Sequence, residues 1–148
     1  MDTAKRIYKD ELVVTDANGR YLRTLVWFGP WRGDPQIPVW FPDGKQLAIL
    51  FRTHPGEDIS AASGSGANLY TIDRDGTRLR QLTHFTPYER VDMGSFSPDG
   101  KFIAFETSAG AVGGTLPDVV VMNADGTHLG HVTHTRNFET QADWGPGR

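Results

Sequence analysis

Short apolar runs closed by glycine turns make up most of this chain. Leu12-Val13-Val14, Leu47-Ala48-Ile49-Leu50-Phe51, Phe102-Ile103-Ala104-Phe105 and Val119-Val120-Val121-Met122 are rich in β-branched and aromatic residues. Such runs, bounded by turn residues, predict strands. No window sustains a helical period, so almost no helix is expected. Two kinds of turn lie between the runs. Asn18-Gly19, Asp75-Gly76 and Asp125-Gly126 supply the positive φ that a tight hairpin needs. Pro42-Asp43-Gly44 and Pro98-Asp99-Gly100 add a proline that presets φ.

The turns recur at a nearly fixed distance. Gly76 follows Gly19 by 57 residues, Gly126 follows Gly76 by 50, and Gly100 follows Gly44 by 56. A period of this length marks a repeat architecture. Each repeat predicts four strands, A to D. A is expected at 36–41, 91–96 and 139–144, and B at 5–9, 46–51 and 102–107. C is expected at 11–16, 68–73 and 118–123, and D at 20–26, 78–83 and 128–133. Four antiparallel strands per repeat predict an all-β protein made of β-propeller blades. The order begins at B and ends at A. The single domain 1–148 therefore reads as three out-of-phase blades: 1–35 with 139–148, 36–90 and 91–138.

The repeat also carries a family resemblance. Trp40, Pro42, Asp43, Gly44, Lys45 and Ala48 match Phe96, Pro98, Asp99, Gly100, Lys101 and Ala104. Asp75-Gly76-Thr77 with Leu82-Thr83-His84 matches Asp125-Gly126-Thr127 with Val132-Thr133-His134. This pattern resembles the TolB-type, WD-like, β-propeller repeat over about residues 11–146. The resemblance implies a six-bladed ring and an exported, periplasmic or extracellular setting. It does not choose a function, because the same blade serves transport accessories, peptidases, lyases and binding proteins.

Three blades do not close a ring, since propellers have four to eight. An open half-ring would expose two blade faces and unpaired strand edges. A homodimer would close it, with the strand at 139–144 completing the N-terminal blade of the partner. The other reading is a piece of a longer chain.

Composition narrows the classes. The net charge is −3 and no basic run occurs, which disfavours nucleic acid and anionic membrane as partners. There is no apolar stretch of transmembrane length and no signal-peptide pattern. Cysteine is absent, which excludes disulfides and thiolate metal sites.

Propeller topology sends the short A–B and C–D turns to one end of each blade and the variable D–A and B–C loops to the other. Binding is expected at the variable end. The first D–A loop brings Trp27, Phe28, Trp31 and Arg32. The next bring His84, Tyr88 and Arg90, then Arg136 and Glu139. Aromatic rings and arginines dominate binding hot spots, but the same rings can also fill a seam between blades. The Ser-Gly-Ser-Gly stretch of the 54–67 loop, which also holds His54, Glu57 and Asp58, lacks the lysine and helix of a phosphate cradle. Asp43, Asp75, Asp99 and Asp125 read as turn formers rather than calcium ligands.

His128, His131 and His134 do not predict a local metal site. On one continuous strand His128 and His134 share a face about 20 Å apart, with His131 on the other face. His84 and His134 hold equivalent positions and could converge toward the ring axis with Glu89 and Glu139. No nucleophile elbow occurs. The leading expectation is a non-enzymatic protein- or ligand-binding scaffold with no cofactor and no metal. A metal-dependent lyase or hydrolase acting on an extended substrate in the axial funnel is the alternative. A building block of larger repeat assemblies is the third reading.

Overall fold

The apolar runs become hairpins because their turns are tied by their own side chains. In the computed structural model, which describes residues 10–28, 34–52, 67–86, 89, 91–110 and 116–145, Asp75 Oδ1 accepts from Thr77 N at 2.9 Å and from Thr77 Oγ1 at 2.6 Å. Asp125 and Thr127 repeat the pair at the same distances. Asp99 accepts from Lys101 N at 3.1 Å and Ser97 Oγ at 2.7 Å, and these bonds hold its carboxyl down to about 2. In the first turn Asp16 does this work, accepting from Asn18 N and Arg20 N, each at 2.9 Å.

Ten strands form among the described residues, and all pair antiparallel. The first sheet joins β1 (Asp10–Thr15) to β2 (Tyr21–Phe28). The second is a meander of β3 (Asp34–Trp40), β4 (Gln46–Arg52), β5 (Ala67–Asp73) and β6 (Arg80–Gln81). The third repeats it with β7 (Val91–Phe96), β8 (Phe102–Thr107), β9 (Asp118–Asn123) and β10 (Gly130–His131).

The core lies in the seams between sheets. Leu25, Leu47 and Ile72 fill the seam between the first and second sheets. Leu50, Leu69, Leu82, Phe105, Val120 and Met122 anchor the larger seam between the second and third. β5, with a neighbour on each side, is buried along nearly its whole length, while β9 is buried only at alternate residues. The turns seat the seams. A Cβ on Gly76 would stand 2.9 Å from Leu25 O, and one on Gly126 would stand 2.9 Å from Leu82 O. The same seam is built twice.

Two expectations need correction. The D strands at 78–83 and 128–133 shrink to two residues each. Arg78 (φ +52°) and His128 (φ +56°) leave the β conformation two residues past the turn glycines, so pairing starts late. It then continues as a bulge: Val132 N and Thr133 N both reach Val119 O, at 2.8 and 3.3 Å. Residues 139–145 form no strand. Their donors go to side chains and to Ser95 instead. Trp144 N donates to Ser95 Oγ and its Nε1 to Ser95 O, each at 3.1 Å, while its ring stacks on Phe102. Ala142 N bonds to the buried Glu106 carboxylate. Gly94, in the β7 bulge, leaves room for this segment: a Cβ there would stand 2.9 Å from Ala142 O. The expected strand at 5–9 lies outside the described residues.

Gly126→Ala and Gly44→Ala separate backbone strain from seam closure. Both glycines have positive φ, but a Cβ on Gly44 meets nothing within 4 Å. In urea unfolding, Gly44→Ala is expected to cost about 1 kcal/mol. Gly126→Ala adds the collision with Leu82 O and is expected to cost on the order of 2–4 kcal/mol. Equal losses would disprove the seam contact.

Candidate functional site

At the variable-loop end of the third sheet, strand geometry brings an acid and two imidazoles together. Asp118 opens β9 and is buried, its side chain 1% exposed. Across the ladder His131 closes β10, and its Nδ1 stands 3.2 Å from Asp118 Oδ2. Thr135 N approaches the other carboxylate oxygen at 3.4 Å. His134 stacks on His131, with ring centroids 5.4 Å apart and 22° between planes. Each of the three residues offers a ligand atom within 4.8 Å of the other two.

This overturns the alternation read from the sequence. His131 and His134 are not on opposite faces, because β10 ends at His131 and the bulge over Val119 O swings His134 round. His128 sits in the turn at positive φ, its Nδ1 3.0 Å from Asn123 Nδ2. Among the described residues, the group able to hold a metal is Asp118, His131 and His134. Asp118 was not singled out by sequence reasoning. Aligning the repeats position by position would have exposed it, since Asn68 and Gln81 stand where Asp118 and His131 stand.

The other expected site residues divide into four sets. His84 and Arg136 are exposed at the loop end. Glu139 is engaged locally, accepting from Thr135 Oγ1 at 2.7 Å, from Val119 N at 3.4 Å and closely from Thr133 Oγ1. Trp27 and Phe28 lie in β2, with backbones opposite Glu11 and Asp10. Trp31, Arg32, Tyr88 and Arg90 lie outside the described residues, as do His54, Glu57 and Asp58. Glu89 accepts from Thr86 N.

A concavity of about 630 Å³ opens at the opposite end, between the second and third sheets. Phe41 and Leu79 form its apolar wall, and Arg78 and Arg80 its cationic one. Both arginines have partners: Arg78 Nε donates to Asp73 at 2.6 Å, and Arg80 reaches Asp125 O. The sequence reading did not anticipate a groove at this short-turn end.

The Thr133 hydroxyl, then that of Thr135, holds the Glu139 carboxyl below the usual carboxylate range. Its stabilising contribution is therefore present above the unfolded glutamate value of about 4.3 and lost as pH falls through the lower folded value. Glu139→Gln is expected to lower Tm at pH 7, with the gap to wild type closing below about pH 4. A gap that persists unchanged into strong acid would count against these charge-assisted bonds.

No family model and no curated protein sequence matches the chain. Solved structures do. A crystal structure of TolB from Acinetobacter baumannii aligns with a TM-score of 0.64 at 20% identity, over 90% of this chain and 29% of that one. A protein assigned as TolB from Agrobacterium tumefaciens aligns with a TM-score of 0.43 at 16% identity, over 93% of this chain and 58% of that one. The chain thus spans under a third of the length of the Acinetobacter protein. The doubled Asp-Gly repeat, the four-stranded antiparallel sheets and the Acinetobacter match agree that the chain has a TolB-like fold.

Proposed function

We propose that this chain is a binding scaffold, three blades of a propeller whose ring is completed by a second copy. The observation that carries this reading is the seam. Leu25 and Leu82, each 7% exposed, lie under the turn of the following sheet. Their counterpart in the third sheet, Val132, is 60% exposed. At the other end of the array Gly19 shares the positive φ of Gly76 and Gly126, yet a Cβ on it would meet nothing within 4 Å. Val13 is 41% exposed where its counterpart Val120 is fully buried. One end thus offers the floor of a seam, and the other offers the turn and the valine that cover such a floor.

A second copy fits both ends at once. Its Gly19 turn would lie over Val132 as Gly126 lies over Leu82, and its Val13 would enter the open face of β9 beside Val119 and Val121. Covering a valine contributes roughly 1.5–3 kcal/mol, and two seams close together by two-fold symmetry. The closed ring would present its variable loops on one end. There Trp27, Phe28, Trp31 and Tyr88, with Arg32, Arg90 and Arg136, form the proposed contact surface for a protein or ligand, flanked by His84 and Glu139.

Sedimentation at micromolar concentration is expected to give twice 16.4 kDa. Val132→Asp should yield a folded monomer. Gly19→Ala should lower stability as much as Gly76→Ala, although Gly19 stands free within one chain. A well-folded wild-type monomer, or a mass that climbs with concentration without a plateau, would rule out the closed pair.

A further inference from the structure

We propose that Asp118, His131 and His134 form a binding site for one divalent transition-metal ion of the zinc class. The three sheets fill equivalent positions differently. The first has Glu11, Thr24 and Trp27, the second Asn68, Gln81 and His84, and the third Asp118, His131 and His134. The fold's own demand at the first position is visible in the second sheet. There Asn68 Oδ1 accepts from Phe85 N at 2.7 Å and Thr83 Oγ1 at 2.9 Å, and its Nδ2 donates to Phe85 O at 3.3 Å. A neutral amide meets that demand fully. The third sheet puts a carboxylate there, with its Thr135 N contact stretched to 3.4 Å and an imidazole 3.2 Å away. A buried carboxylate calls for a positive partner. Two imidazoles gathered on it are a ligand set rather than a strand-end cap.

The geometry suits a tetrahedral ion. Bonds of about 2.0–2.1 Å place neighbouring ligand atoms about 3.3 Å apart. The separation of Asp118 Oδ2 from His131 Nδ1 is already close to that edge. Gly110 lies on the Nε2 side of His131, where an added Cβ would stand 3.2 Å from that nitrogen, so the absence of a side chain leaves room for the ring. His134 is exposed, and its ligand nitrogen already lies within the 4.8 Å group. Two nitrogens and one oxygen favour zinc, cobalt, nickel or copper over calcium or magnesium, which take six or more oxygens. Three protein ligands leave a fourth position open to water or to a ligand group at the loop end.

The test uses the tag-free, chelator-stripped full chain titrated with Co²⁺ and then Zn²⁺. One Co²⁺ per chain with a tetrahedral visible absorption band, displaced by Zn²⁺, is expected. His134→Ala, at an exposed position, should weaken Co²⁺ binding at least about tenfold and leave the metal-free melting temperature unchanged. The pair Asp118→Asn with His131→Gln installs the residues of the second sheet and should abolish binding in a folded protein. If that pair fails to fold, His134→Ala alone decides. Wild type that does not saturate with Co²⁺, or variants that bind as tightly as wild type, overturn the proposal.

Discussion

A four-stranded sheet with two apolar faces cannot cover both of them itself. Hydrogen-bond ladders hold β3 to β6 and β7 to β10 together, while the apolar seams pack one sheet on the next. At about 25 cal/mol per Å² of apolar surface, the burial of Leu69, Phe105, Val120 and Met122 outweighs what any surface ion pair supplies. Lys45–Asp43 and Lys101–Asp99 are such pairs, and both are well exposed. The constraint is geometric as well as energetic. The seam closes only if the following turn lies directly on a backbone carbonyl, and there Gly76 and Gly126 leave no space for a side chain.

The Leu-Thr-His signature follows from that constraint. Leu82 enters the seam. Thr83 Oγ1 accepts from Leu69 N at 2.9 Å and donates to Asn68 Oδ1 at 2.9 Å, closing the start of the neighbouring strand. Thr133 does the same for Val119 N, at 2.9 Å, and donates its hydroxyl hydrogen bond to Glu139 instead. The histidine then lies beyond the ladder, at the loop end, where the fold asks nothing specific of it. Packing, strand capping and free chemistry thus fall on three consecutive residues.

The turns, the repeat and the strands at 91–96, 102–107 and 118–123 were legible because their causes are local. An Asp-Gly pair closes its hairpin wherever it occurs. Three features were not legible. The positive φ of Arg78 and His128 has no glycine to announce it, so the D strands were drawn too long. The resting place of 139–145 depends on Ser95, Glu106 and Phe102, which are distant in sequence. The meeting of His131 with His134 depends on a bulge against Val119 O, and strict alternation put the two on opposite faces.

Repetition supplies the comparison that a single sheet lacks. Where two sheets are built alike, a residue shared between them answers to the fold, as Asp75 and Asp125 answer to their turns. A difference between them is informative when the shared duty was already met. Asn68 satisfies the strand-start position with neutral hydrogen bonds, so that position does not itself require the buried carboxyl group of Asp118. Gln81 spends its amide on Thr83 O at 2.6 Å, a bond the fold can use, whereas His131 faces the acid. The third sheet therefore departs from the second where an amide pair becomes an acid–imidazole pair, and that departure lies at the end where the loops vary.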